Sequence, residues 1–377
     1  MTDNLNILYG VQATGNGHIT RSREVVSALK QRGHRVNVIV SGRPGDQLWG
    51  MESFMPFTLM EGLTFHTRAG KVQKLSTILN AKPFKMYRDI NHFNARDIDV
   101  VISDFEPITS RIARKHGIPS IGIGHQYAFN YDVPMTNSNP VARALIQKFA
   151  PVDLSIGLHW HHYNEPILPP IIPSVWDWQK AKDRSILIYL PFEDHSLLIA
   201  KLKKLPDLDF IVYSNQMPLG PGPEANITVK PLSRETFPRD LKTVEGVICN
   251  AGFELPSETI SLGKKLLVKP LQGQPEQESN AYALQELNYG STCSEVTPEV
   301  IMNWYSRAKQ KQVVFPNIVS ELVDWLEDGQ WDRASLGLLS ERLWAGIIPE
   351  EGKRSVFRSK PGDMNQHEKN VQMGLTY

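Results

Sequence analysis

The chain has 377 residues, of which 41% are hydrophobic and 21% charged; that is long enough for two globular domains and argues against a disordered or fibrous protein. Its 41 basic and 40 acidic residues leave a net charge of +1, without the basic excess that a nucleic-acid-binding face needs. The two cysteines, Cys249 and Cys293, lie far apart, which argues against a disulfide scaffold and against a cysteine-based zinc site.

The first residues show no basic stretch followed by an apolar one, so no signal peptide is expected. No apolar run approaches the roughly 20 residues that cross a bilayer. The expected location is the cytoplasm, with peripheral contact at the inner face of the membrane left open. Residues 5–10 read as a strand, 20–31 as a helix with Val25, Val26 and Leu29 on one face, and 35–40 as a second strand. Between the first strand and that helix lies Thr14-Gly-Asn-Gly-His18. Gly15 and Gly17 allow close approach of a ligand, and the loop presents His18 near the carboxyl end of a sheet, where α/β proteins bind ligands. Arg21 has reach toward phosphate or acceptor, and Arg23 suits a solvated helix face. Residues 50–95 are rich in Met, Phe and Lys and hold short strands and a helix on the acceptor side. Their apolar residues, such as Met51, Phe54, Met55 and Phe57, fit core packing or an apolar acceptor.

Strands follow at 99–103 and 120–124. Ser103-Asp-Phe-Glu-Pro107 comes between the first of these and a helix. Asp104 there either orients His18 or caps the helix. Glu106 is the alternative base or orienter. Two metal-like patterns are set aside. Asp97-Ile-Asp99 reads as a polar lead-in to a buried strand. His159-Trp-His-His162 lacks a nearby carboxylate or cysteine and reads as a solvated edge.

The prolines of residues 164–178 mark a stiff linker. A second α/β series follows, with strands at 185–190, 210–213, 227–229, 246–249 and 265–268. Asn250-Ala-Gly-Phe-Glu-Leu-Pro-Ser-Glu258 then reads as a turn opening a helix. Gly252 turns the backbone, Pro256 fits the first helical turn, and the free N–H groups form an anion site. Glu258, one turn in, can accept two sugar hydroxyls. The loop Gln272 to Asn280 adds Gln274, Glu276, Gln277 and Asn280, whose amides and carboxylates suit a hexose. Diphosphate, ribose and hexose together describe a nucleotide-sugar site.

These stretches resemble the donor signature of GT-B glycosyltransferases, near the branch that adds N-acetylglucosamine to lipid I and a group of little-characterised prokaryotic glycosyltransferases. The likeness spans roughly residues 5 to 330. It implies an α/β chain of GT-B fold, with two Rossmann-like domains and a cleft between them: an acceptor domain over 1–165, a linker over 166–180, a donor domain over 181–330, a helix crossing back over 331–349 and a polar tail over 350–377. It implies an inverting, metal-independent, hexosyltransferase-type enzyme with a UDP-sugar as substrate, no cofactor, and a glycan, lipid or small-molecule acceptor. His18 is then the base and Asp104 its orienter, with Glu106, His125 and Gln126 on the acceptor side. Gly15, Gly17, Leu232, Gly252, Phe253, Glu254, Ser257, Glu258, Gln274, Glu276, Gln277 and Asn280 bind the donor, Leu232 through its main chain to the base. The Gln272 loop is less basic than in the lipid I branch, which leaves the sugar open. A 2-epimerase of the same fold and a non-catalytic nucleotide-sugar-binding protein are the alternatives. The first is disfavoured because no extra acid/base carboxylates are evident.

Overall fold

The computed structural model describes residues 4–48, 50–62, 67–68, 71–72, 83–136, 144, 147–173, 182–217, 219–222, 224–307 and 312–347. The first sheet contains β1 (Asn6–Gln12), β2 (Arg35–Ser41) and β3 (Phe57–Met60). After a separate hairpin of β4 (Thr67–Arg68) and β5 (Lys71–Val72), it is completed by β6 (Val100–Asp104), β7 (Ser120–Gly124) and β8 (Leu154–Gly157). All six are parallel, in the order β3-β2-β1-β6-β7-β8. β6 and β7 are buried along their whole length, as expected of strands covered on both faces.

The second sheet contains β9 (Ser185–Tyr189), β10 (Asp209–Tyr213), β11 (Gly220–Pro221), β12 (Ile227–Lys230), β13 (Gly246–Asn250), β14 (Lys265–Lys269) and β15 (Ser291–Thr292). Its order is β11-β12-β10-β9-β13-β14-β15, parallel except for β11. Helices alternate with the strands. They are α1 (Asn16–Gln31), α2 (Pro83–His92), α3 (Pro107–His116), α4 (His125–Ala128), α5 (His195–Leu202), α6 (Thr236–Thr243), α7 (Glu254–Ser261), α8 (Pro275–Glu286), α9 (Pro298–Tyr305), α10 (Val319–Glu327) and α11 (Arg333–Trp344).

In each sheet the chain runs outward to one edge, returns to the middle and runs to the other. The reversal falls between β1 and β6 in the first sheet and between β9 and β13 in the second. In open α/β sheets the crevice outside the carboxyl ends at such a switch is where ligands bind. Here the first switch carries the Thr14–His18 loop and Asp104, and the second carries the Asn250–Glu254 turn.

The largest apolar cluster joins the two halves. It includes Ile7, Val25 and Ile102 on one side and Leu187, Val247, Phe253 and Leu266 on the other. Met51 and Phe54 belong to it, which assigns them to core packing, whereas Met55 is exposed. The region read as helical over 317–345 is two helices, parted at Gly329, which has φ 70°. α10 lies on α1, where Arg32 meets Asp324 at 2.6 Å and Glu327 at 3.0 Å. The Trp344 indole N–H of α11 donates to the carbonyl of Ile167 at 2.7 Å. Residues 174–180 of the linker read at 166–180 and all of the 350–377 tail lie outside the described residues. None of the described helices is long and apolar enough to cross a membrane.

Candidate active site

Asp104, at the carboxyl end of β6, gathers four contacts. His18 Nδ1 lies 2.8 Å from Oδ1, Arg21 donates from Nε at 2.8 Å and from Nη2 at 2.5 Å, and the Ser22 hydroxyl donates at 2.6 Å. Burial opposes a charge on Asp104, but Arg21 and His18 outweigh it and hold the carboxyl below its ordinary value. A carboxylate only accepts. It therefore fixes the His18 proton on Nδ1 and leaves Nε2 as a lone-pair base, for which the described residues supply no partner. Arg21 Nη2 lies 2.7 Å from His18 Nδ1; both being donors, Asp104 Oδ1 is what holds them together. The His18 side chain keeps 11% of its surface exposed against 1% for Asp104, so the imidazole reaches solvent and the carboxylate does not.

The far end of Arg21 crosses to the other half of the molecule, where Nη1 meets Glu254 Oε1 at 2.5 Å. Burial pushes the Glu254 carboxyl up, and Arg21 opposes that. The loop itself packs on the start of α7: a Cβ on Gly17 would stand 2.6 Å from Glu254 Cγ. Gly124 has a parallel role, since a Cβ there would stand 2.9 Å from Arg21 Nη2 and 3.2 Å from Asp104 Oδ1. Gln126 bridges the halves as well, accepting from Arg21 Nη2 at 3.3 Å and donating to Glu276 Oε1 at 3.0 Å.

Glu258 lies one turn beyond Glu254 on α7. The described residues give its carboxyl no hydrogen-bond partner. Burial, then the nearby Glu254 and Glu24, push it up to about 8. Gln274 precedes α8 as an N-cap without a side-chain cap bond, and Gln274 and Glu276 are both half-buried. Beside Gly252 the space where a Cβ would stand is open. Gly15 is the N-cap of α1.

Several residues expected at the site have structural employment instead. Glu106 is neither base nor orienter: it is fully buried and caps α3, accepting from the N–H groups of Ile108 and Thr109 and from the Ser41 and Thr109 hydroxyls. His125 does not face an acceptor. It is fully buried, stacked on Phe253 with centroids 4.1 Å apart and planes 3° apart. Its ring nitrogens face two oxygens, the Leu158 carbonyl at 2.8 Å and Asn280 Oδ1 at 2.6 Å. A neutral ring donates to one of them only, and burial lowers its affinity for a second proton. Asn280 and Phe253 are thereby part of the interface. The Ser257 hydroxyl accepts from the Trp160 indole at 2.8 Å and donates to the Phe253 carbonyl at 2.7 Å. Gln277 Oε1 accepts from the Leu271 N–H at 3.0 Å. The Leu232 N–H is taken by Asn215 Oδ1 at 3.3 Å, so that N–H is not free for a base.

Other expectations shift too. Arg23 is buried, with Nη2 donating to the Gly50 carbonyl at 3.0 Å, not solvated. The His159–His162 tract is not a solvated edge, since His159 and His161 are buried and each of His159, His161 and His162 accepts a nearby backbone N–H on Nδ1. Asp99 accepts the Asn6 N–H at 2.7 Å. Among the described residues no three His, Cys, Asp or Glu side chains group as metal ligands. The sequence reading missed Ser22, Asn16, Tyr189 and Arg43. For Arg43 the signal was its place just beyond the carboxyl end of β2.

Two Rossmann-like domains whose switch points carry a carboxylate-oriented histidine on one side and a helix start on the other define a GT-B glycosyltransferase architecture. The model of glycosyl transferase family 1 matches residues 5–308, and the chain belongs to that family. An uncharacterised glycosyltransferase of Methanosarcina mazei is 26% identical over 219 residues, 58% of this chain, which spans about half (49%) of that relative's length. The fold is shared with the glycosyltransferase of kitacinnamycin (TM-score 0.58, 16% identity, 92% of this chain and 100% of that one). It is shared too with the calicheamicin glycosyltransferase CalG4 (0.54, 14%, 92% and 100%). A third structure, LpCGTa, was solved in complex with UDP (0.53, 15%, 90% and 94%).

Proposed function

We propose that the protein transfers a glycosyl group from a UDP-sugar to an acceptor hydroxyl, with inversion and without a metal. The observation that carries this reading is the His18–Asp104 contact at 2.8 Å beside the β1–β6 switch. His18 Nε2 takes the hydroxyl proton as the oxygen attacks the anomeric carbon. The bond from that carbon to the diphosphate oxygen breaks, and UDP leaves with the electron pair. One displacement inverts the centre. Asp104 steadies the imidazolium as it forms. Glu258, whose carboxyl has no hydrogen-bond partner among the described residues, accepts the ribose hydroxyls. Gln274 and Glu276 read the sugar. The free N–H groups at the starts of α7 and α8 meet the charge on the departing diphosphate, while Arg21 neutralises Glu254. UDP bound to LpCGTa, and UDP-2fluoro-glucose with pterostilbene bound to Phytolacca americana UGT2, a structure with TM-score 0.51 and 13% identity, support this choice of donor by analogy.

The test is turnover of a panel of UDP-sugars with small-molecule, glycan and lipid acceptors. His18→Ala should lower kcat by about 10²–10⁴-fold while UDP affinity, read by calorimetry, stays within a few-fold of wild type. Equal turnover in the variant would remove His18 as the base. Failure of wild type to bind UDP would remove the donor assignment.

A further inference from the structure

We propose that Arg43, positioned by Asn16 and set against Tyr189, is an anion subsite in the cleft that takes a phosphate or diphosphate group. Arg21, Arg32, Arg234 and Arg333 each meet a carboxylate in the folded chain. Arg43 does not. Its Nη1 donates to Asn16 Oδ1 at 2.8 Å and its Nη2 to the Thr14 carbonyl at 3.2 Å, both uncharged acceptors. Burial lowers its affinity for its proton, and the group that opposes this is the Tyr189 hydroxyl, not a carboxylate. A half-buried cation without a counter-ion costs the fold free energy. That cost is explained when the counter-ion is a ligand.

The placement fits. Arg43 stands just past the carboxyl end of β2, and its two partners, Thr14 in the β1–α1 loop and Asn16 at the start of α1, lie four and two residues before His18. Asn16 Nδ2 in turn donates to the Tyr189 hydroxyl at 3.4 Å, and Tyr189 ends β9 in the other domain. The guanidinium therefore lies between the two switch points, not on the outer surface. Asn16 and Thr14 hold it in one orientation using two of its five N–H donors. The fork that remains suits a phosphate oxygen pair. The anion has two sources, the diphosphate of the donor or an anionic group on the acceptor. The subsite stands on Arg43's own geometry, and only its part in transfer rests on the reading above.

The experiment is calorimetric titration of inorganic pyrophosphate into free and UDP-saturated full-length protein, alongside UDP itself, for wild type, Arg43→Gln and Arg43→Lys. The thermal midpoint of each variant verifies folding. If the subsite holds the donor diphosphate, pyrophosphate competes with UDP and both weaken about tenfold or more in Arg43→Gln, with Arg43→Lys in between. If it holds an acceptor anion, pyrophosphate binds the UDP-saturated protein, and Arg43→Gln abolishes that binding while leaving UDP affinity unchanged. Pyrophosphate and UDP affinities that are the same in wild type and Arg43→Gln would overturn the subsite. Arg43-dependent pyrophosphate binding in a protein that ignores UDP would keep the subsite and sink the donor assignment instead.

Discussion

The role proposed for Glu258 ties ligand recognition to pH. Burial, with Glu254 and Glu24 adding to it, moves its carboxyl from 4.5 in the unfolded chain to about 8 in the folded one. Between those values the native chain holds a proton that the unfolded chain has released, so stability falls as pH rises through that window. Glu258→Gln removes its share of the slope and leaves that of Glu254, which burial also pushes up, to about 7. Thermal midpoints measured at pH 5 and pH 8 should drop more for wild type than for the variant. A carboxylate that accepts two ribose hydroxyls must be ionised, so UDP should also bind wild type more tightly at pH 8.5 than at pH 6, with proton release, and Glu258→Gln should show neither trend. Equal slopes in the two proteins would mean that Glu258 is ionised throughout and has another role. The residue type and its place after Gly252 were legible in the sequence. What sequence could not give was the company it keeps, since Glu24 comes from α1, in the other half of the molecule.

At the scale of elements, the start of α3 shows how a capping carboxylate resembles a catalytic one. Ser103-Asp-Phe-Glu-Pro107 offers two acids before a helix, and either could cap it. Pro107 at the first helical position sets the frame. The residue before it is then the N-cap, which assigns Glu106 to the helix and frees Asp104 for His18. Glu106→Ala leaves the N–H groups of Ile108 and Thr109 without their acceptor, while the Ser41 hydroxyl keeps Gln12 Oε1 at 3.2 Å and the Thr109 hydroxyl keeps the backbone carbonyl of residue 106 at 3.4 Å. Its cost should reach or exceed the upper end of the ~0.5–2 kcal/mol seen for lost caps, read by denaturant titration. Turnover per folded molecule should be close to wild type, and a catalytic defect at unchanged stability would contradict the assignment. Strands were the most legible elements because parallel strands covered on both faces are nearly unbroken apolar runs. Helix ends were less so. α1 begins at Asn16, inside a glycine-rich loop whose residues do not favour helix, four residues before the start its apolar face suggests.

For the whole molecule, periodicity gave two α/β halves but not the strand order, and the order is what brings His18 beside Asp104. It also determines how the halves meet. His125 and Asn280, Ser257 and Trp160, and Arg21 and Glu254 pair across or beside the boundary, and each read in sequence as a local feature. Domain interfaces within a chain are commonly modest and polar and permit relative motion. This one has the Phe253–His125 stack and Trp160 at its centre, with Trp160 fully buried, and one apolar cluster runs through both halves. α10 and α11 then clamp the first half from the carboxyl end of the chain, through Arg32 with Asp324 and Trp344 with Ile167. Two domains joined by a thin linker should unfold in two steps, whereas two that share a core should unfold in one. Differential scanning calorimetry of the full chain should therefore give a single peak, with the calorimetric enthalpy close to the van't Hoff value. His125→Ala removes the stacked ring and its interdomain bond, and should lower the midpoint while bringing the two enthalpies apart. Two resolved peaks in wild type would show that the halves fold independently.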